Sequence, residues 1–209
     1  MRVAAPPPAP ATYAGSYLRV LAAALLAAVL LAACDSGPSK FKSRDITGAD
    51  YGRSLALTDQ NGKPRTLKDF RGKVVVVFFG YTQCPDVCPT TTAELAQVMQ
   101  ALGSDADRVQ VLFVTLDPER DTPAVLAQYV SAFDRRFLGL YGNAEQTRRV
   151  AEEFKIFYRK RPGVAGAYSL DHSAQAYVID PRGRLRLFVR YGHLAADLPG
   201  DIRTLLKGG

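Results

Sequence analysis

An unbroken apolar run, Val74-Val75-Val76-Val77-Phe78-Phe79, constrains the fold of this chain more than any other stretch. Four successive β-branched residues disfavour a helix. A run without polar alternation marks a strand buried on both faces, as in the parallel centre of an α/β sheet. Gly80-Tyr81-Thr82-Gln83-Cys84-Pro85-Asp86-Val87-Cys88-Pro89 follows directly, and a helical pattern begins near Thr90. Cys84 and Cys88 thus fall where a buried strand turns into a helix. Open α/β sheets place their chemistry there, beyond the carboxyl end of a strand. First-turn N–H groups and the helix dipole favour negative charge, hence thiolate over thiol. Pro89 biases Cys88 towards extended backbone, so the second thiol is expected on the loop or cap.

Three residues separate the cysteines, one more than in the usual dithiol redox centre. The wider bite lets both sulfurs point at one object, a metal ion for example, and leaves a disulfide open. A metal needs a third ligand, and the chain has two histidines. His172 precedes the apolar run Ala176-Tyr177-Val178-Ile179, which reads as a strand. His193 follows another strand, and a structural role is expected for it. Two thiolates and an imidazole suit copper, and Cu(I) accepts three ligands. Structural zinc takes four closed ligands, and no second cysteine pair exists to supply them.

Three features in order, Cys84-Pro85-Asp86-Val87-Cys88-Pro89, Leu116-Asp117-Pro118-Glu119-Arg120-Asp121-Thr122-Pro123 and Asp171-His172, resemble the Sco/SenC family. The likeness runs from about Ile46 to Leu206. It implies a thioredoxin-like α/β fold with a central mixed β-sheet flanked by helices. It also implies copper ligation by Cys84, Cys88 and His172, as Cu(I) or Cu(II). By the same resemblance the partners are the CuA-bearing subunit of cytochrome c oxidase and a copper donor protein. Gln83 departs from the family, whose members often carry histidine there; this removes an auxiliary ligand and none of the usual three.

The first 33 residues read differently from the rest. Arg2 and Arg19 are their only charges, and the apolar run from Val20 to Ala33 is short for a membrane span but suits a signal-peptide core. Leu31-Ala32-Ala33-Cys34 resembles a bacterial lipobox, which implies cleavage before Cys34 and lipidation of its sulfur. Several acyl chains on one residue meet the two-signal requirement for stable anchoring. The expected domains are therefore a lipoprotein signal peptide (1–33), a lipidated cysteine with tether (34–45) and a thioredoxin-like copper-binding domain (46–209). Such a chain sits on a bacterial cell membrane with its domain on the extracytoplasmic side. Asp35 resembles an inner-membrane retention signal of some bacteria. Processing leaves Cys84 and Cys88 as a pair. It also lowers 27 basic residues to 25 against 20 acidic ones, a surplus suited to an anionic lipid surface. No basic-aromatic stripe suggests nucleic acid.

Along the domain, Leu55–Thr58 reads as a strand and Asp59-Gln60-Asn61-Gly62-Lys63 as a hairpin turn. Together they make an added N-terminal β-hairpin, followed by a helical turn at Leu67–Phe70. A helix ends at Gly103, a second central strand spans Val109–Leu116, and Thr122 with Pro123 opens the next helix. Phe137–Tyr141 is a short strand, and a helix covers Ala144 to about Phe154. Residues 158–169 read as the longest irregular stretch, leading straight to His172. Ala174–Ile179 and Leu185–Tyr191 form a hairpin through Asp180-Pro181-Arg182-Gly183-Arg184, and a last helix starts near Asp197. Glu119 and Arg120 are open to capping or to docking a partner. Asp171 either orients His172 or faces solvent. Tyr81 and Thr90-Thr91-Thr92 are expected to pack and cap.

Two functions from different classes fit. A copper metallochaperone uses all three ligands; a thiol–disulfide oxidoreductase cycles Cys84 and Cys88 and has no need of His172. A peroxidase fits the close cysteine pair poorly.

Overall fold

This computed structural model describes residues 40–209 together with Met1, Ala4 and Ala5; the rest of the expected signal peptide and Cys34 lie outside the described residues. The folded unit runs from Lys40 to Gly209. Its strands are β1 (Arg44–Asp45), β2 (Ala56–Asp59), β3 (Pro64–Thr66), β4 (Val74–Gly80) and β5 (Val109–Thr115). They continue as β6 (Leu138–Tyr141), β7 (Tyr158–Pro162), β8 (Tyr168–His172), β9 (Ala176–Ile179) and β10 (Leu185–Val189). The helices are α1 (Val87–Leu102), α2 (Pro123–Phe133), α3 (Ala144–Glu153) and α4 (Leu194–Leu206).

Eight strands form one sheet in the order β1-β10-β9-β4-β5-β6-β2-β3. The centre, β4-β5-β6, is parallel and the remaining pairs are antiparallel, giving the mixed sheet expected. All seven β4 residues are buried, which explains why the run never alternates. Each such Val or Phe contributes about 1.5–3 kcal/mol relative to exposure. β4 pairs β5 in register from Val74↔Val109 to Gly80↔Thr115, so both strands deliver their carboxyl ends to one edge. α1 packs against α4, α2 against β6 and α3 against β2.

Two turns use one device. In Asp59–Lys63 the buried Asp59 carboxylate accepts from the N–H groups of Asn61 (2.9 Å) and Lys63 (3.0 Å) and from Arg65 Nε (2.8 Å). Asp180 does the same with the N–H groups of Arg182 and Arg184 and with Arg184 Nε. These donors compensate carboxylates that would otherwise be buried without partners.

Four expectations shift. The stretch 158–169 is not irregular: β7 and β8 pair antiparallel as a separate two-stranded hairpin, Tyr158↔His172 to Pro162↔Tyr168. The unbroken run of cations Arg159-Lys160-Arg161, exposed on both faces, hid the strand. The first helix of the domain begins at Val87, so Cys88 lies inside it and Pro89 sits in its first turn, where a missing N–H costs nothing. The last helix begins at Leu194, three residues early, with Pro199 inside its first turns. Within the stretch expected as tether, Phe41 and Ser43 are buried and β1 pairs with β10.

Candidate metal centre

The cysteine loop leaves β4 at Gly80. A Cβ on Gly80 would stand 2.8 Å from Cys88 Sγ and 3.1 Å from the Phe113 ring, so glycine is what lets the sulfur close on the strand end. Cys88 is fully buried in the first turn of α1, and its backbone N–H donates to Cys84 Sγ at 3.4 Å. Cys84 is half-buried beside Tyr81 and Pro85, at a cavity of about 390 Å³ that Leu170 and His172 close from the other side. Neither cysteine is in a disulfide.

His172 arrives at the end of β8. Its Nδ1 donates to the Ser173 carbonyl at 2.8 Å, which leaves Nε2 with its lone pair, 3.4 Å from Cys88 Sγ. The ring stands edge-on to Tyr81 at 5.9 Å between centroids and lies 6.5 Å from Phe78. One ligand atom from each of Cys84, Cys88 and His172 falls within 4.8 Å of the others. The three residues singled out from the sequence therefore converge, and their donor set is that of a thiolate-imidazole metal site. His193 does not join them; it caps α4, 3.6 Å from the Asp197 carboxylate. Asp171 does not orient His172 either. Its carboxylate pairs with Arg161 and Arg159 on the neighbouring strand.

The electrostatics of the two sulfurs diverge. Hydrogen bonding from the Cys88 thiol holds Cys84 down at about 3, burial working against it and the Asp86 and Cys88 amides adding to it. The same bond, with burial, pushes Cys88 well above an ordinary thiol. At neutral pH the pair thus carries one proton, on Cys88. Half-exposed Cys84 is the thiolate.

What the sequence did not single out is the network that holds the histidine hairpin against the cysteine loop. Buried Asp117 accepts from Tyr168 Oη (2.7 Å) and Arg120 Nε (2.5 Å). Arg120 Nη1 donates both to Gln83 Oε1 and to the Tyr168 carbonyl, each at 3.0 Å. Thus Gln83 is engaged in positioning. Lys160 reaches Glu119 at 2.6 Å, and the Leu170 N–H donates to Tyr81 Oη at 3.3 Å. Buried Asp121 accepts from the Thr82 N–H (3.0 Å), Thr82 Oγ1 (2.6 Å) and Thr115 Oγ1 (2.5 Å), pinning the start of the cysteine loop. The signal in the sequence was the segment Leu116–Pro123, which carried the resemblance but whose charged residues read as helix capping or docking. Thr122 does cap α2, accepting from the Val125 N–H.

Comparison with known proteins meets this geometry. A family model described as SCO1/SenC matches residues 43–207. The SCO2-like protein of Rickettsia felis is 35% identical over 159 residues, covering 75% of this chain and 76% of its own length. The structure of Bradyrhizobium japonicum ScoI with copper bound is 42% identical, with a TM-score of 0.66, over 77% of this chain and 99% of that one. Arabidopsis thaliana ScoI with copper bound is 30% identical, with a TM-score of 0.67, over 76% of this chain and 97% of that one. With its thioredoxin-like sheet and its Cys84–Cys88 loop facing His172, the chain belongs to the SCO1/SenC family.

Proposed function

We propose that this chain is a membrane-anchored copper-binding protein that supplies copper to the CuA-bearing subunit of cytochrome c oxidase. The observation that carries the reading is the convergence of Cys84, Cys88 and His172 within 4.8 Å. Copper bound in the ScoI structures of two relatives supports it. Soft thiolates and a borderline imidazole suit Cu(I), and three ligands satisfy it. Cys84 offers a sulfur already deprotonated, Cys88 gives up its proton on binding, and His172 presents Nε2. With two thiolates the site keeps one net negative charge around Cu(I) and none around Cu(II). The half-exposed Cys84 edge lets an incoming ligand from a donor or acceptor protein reach the metal.

Residues 1–33 serve as a signal peptide, Cys34 carries lipid, and the domain stands on the extracytoplasmic side of a bacterial membrane. Anaerobic copper titration of the reduced protein tests the centre: one copper bound tightly per chain, lost in His172→Ala. Unchanged affinity in that variant rules out the three-ligand site.

A second reading, thiol–disulfide exchange, is favoured by the Cys84 thiolate beside a protonated Cys88. Cys84 attacks a partner disulfide and expels one partner thiolate. Cys88 then loses its proton and attacks Cys84 Sγ, releasing the second; a Cys84–Cys88 disulfide forms and two electrons pass to the partner. His172→Ala retains this exchange while losing copper, which separates the two roles.

A further inference from the structure

The end of the sheet that carries the cysteines also carries a basic cavity at its edge. β10 runs in the direction of β4, since Val189 pairs with Ala176 of β9 and Ala176 pairs with Phe78. The carboxyl end of β10 therefore lies level with the cysteine loop, two strands away. β1 runs against β10 with Arg44 opposite Phe188, so the chain enters the domain at this same end. There Lys42, Ser43, Arg44, Arg190, His193 and Asp197 line a cavity of about 140 Å³.

This cavity is built for an oxyanion. Lys42, Arg44 and Arg190 bring three cations against the Asp197 carboxylate, which His193 already approaches at 3.6 Å, and the buried Asp201 carboxylate behind Lys42 and Ser43. Neither the Arg44 nor the Arg190 guanidinium has a hydrogen bond or ion pair among the described residues. Ser43, only 6% exposed, has a buried hydroxyl with no hydrogen-bond partner among the described residues. Its backbone is fixed, for the N–H groups of Lys42 and Ser43 both donate to Asp201 at 2.8 Å. Guanidinium groups free of protein partners, beside an unpaired hydroxyl, suit phosphate oxygens.

We propose that this cavity takes the phosphate of an anionic phospholipid headgroup, docking the domain so that the cysteine end of the sheet lies nearest the bilayer. The proposal rests on the N-terminal anchor. From Cys34 to Lys42 the chain spans at most about 28 Å even fully extended, so an anchored domain has this face within reach of the headgroups. Free phosphate offers the same oxyanion but does not explain why the cations flank the point of chain entry.

The test uses the full chain reconstituted into vesicles of phosphatidylcholine alone or mixed equally with phosphatidylglycerol. Amine labelling of exposed Lys42 is followed by mass spectrometry, with Lys63 on the opposite edge of the sheet as reference. Phosphatidylglycerol should slow Lys42 labelling by about fivefold, leave Lys63 unchanged, and lose this effect in Arg44→Gln/Arg190→Gln. Those two side chains are exposed and unpaired, so that variant folds; Ser43→Ala provides a second, partial loss. Equal protection of Lys42 and Lys63 means non-specific adsorption and overturns the proposal. So does protection in phosphatidylcholine vesicles by inorganic phosphate alone, which makes the ligand a free anion. A chain that floats with vesicles but gains no protection overturns the docking alone; one that floats with neither composition overturns the anchor as well.

Discussion

Arg120 lies flat on Tyr168, its Cζ 3.6 Å from the ring centroid, while its Nη1 donates to the carbonyl of the same residue. One side chain thus clamps the hairpin that carries His172 onto the segment beyond β5 that also pins the cysteine loop. Arg120→Ala should free Tyr168, leave the buried Asp117 carboxylate short of a donor, and let His172 drift. The expected cost in copper affinity is about tenfold or more, the range seen when ligand-orienting partners are removed. Hydrogen exchange at the Leu170 amide, which donates to Tyr81 Oη, should quicken. Arg120→Lys keeps the charge but not the fork, and should restore only part of the affinity. An unchanged Leu170 amide in Arg120→Ala disproves the clamp.

Gly80 matters for space. Its φ demands nothing unusual, but a Cβ would meet Cys88 Sγ at 2.8 Å and the Phe113 ring at 3.1 Å. Gly80→Ala should destabilise the domain by about 1–3 kcal/mol through overpacking. It should also push the Cys88 sulfur out of line with His172 Nε2. Thermal unfolding reads the first effect, and copper stoichiometry at limiting protein reads the second. A variant with native stability and full copper occupancy contradicts the close approach seen here.

The scaffold of this site was open to reading from sequence because it rests on short-range signals. Val74–Phe79 could only be a buried strand, Asn61-Gly62 only a turn, Thr122-Pro123 a helix start. The cysteine pair was legible for the same reason, as Cys84 and Cys88 share one loop. His172 was joined to them by resemblance, since nothing local places it 3.4 Å from a sulfur 84 residues away. The clamp was not legible at all. Tyr168, Asp117 and Arg120 are distant in sequence or look like ordinary caps, and their partnership exists only once β7 and β8 pair. Cys88 misled for a local reason: the bias against helix before proline lost to the burial of its sulfur in the first turn of α1.

Asp121 links pH to the stability of the loop. Burial raises its carboxyl above the usual 3.8, with the Thr115 and Thr82 donors pulling it back only in part. A raised value in the folded chain means that its stabilising contribution is complete below 3.8 and lost as pH rises through the folded value. Asp121→Asn can satisfy all three donors once the Thr82 hydroxyl reverses, so it should stay within about 1 kcal/mol of the parent at neutral pH. Above pH 3.8 its stability relative to the parent should rise until Asp121 is fully ionised. Asp121→Ala leaves the Thr82 N–H and Thr115 hydroxyl without acceptors and should lose about 2–3 kcal/mol. Denaturant unfolding of the three proteins across the acid range decides this. Parallel pH profiles for parent and Asp121→Asn would remove Asp121 from the account.

Cys84 and Cys88 share one proton, and the count of protons released on binding follows from that. With Cys84 held down at about 3 and Cys88 pushed well up, copper displaces one proton per chain at neutral pH, where two ordinary thiols would release two. Apparent affinity should therefore climb by about one decade per pH unit between roughly pH 7 and 8. For stability the sign is set by the lowered value. Cys84 contributes fully above its unfolded value near 9, and the contribution fades as pH falls towards 3. Alkylation gives a direct check: in the parent, the Cys84 reaction with iodoacetamide should stay almost flat from pH 5 to pH 8, as a thiolate already formed gains nothing from added base. In Cys88→Ala the sulfur donor is gone and nothing takes its place, and the Cys84 profile should move up towards that of an ordinary thiol. A steep parent profile rising through pH 8, or two protons released per copper, would show that the Cys84 thiolate does not pre-exist and that binding must deprotonate both sulfurs.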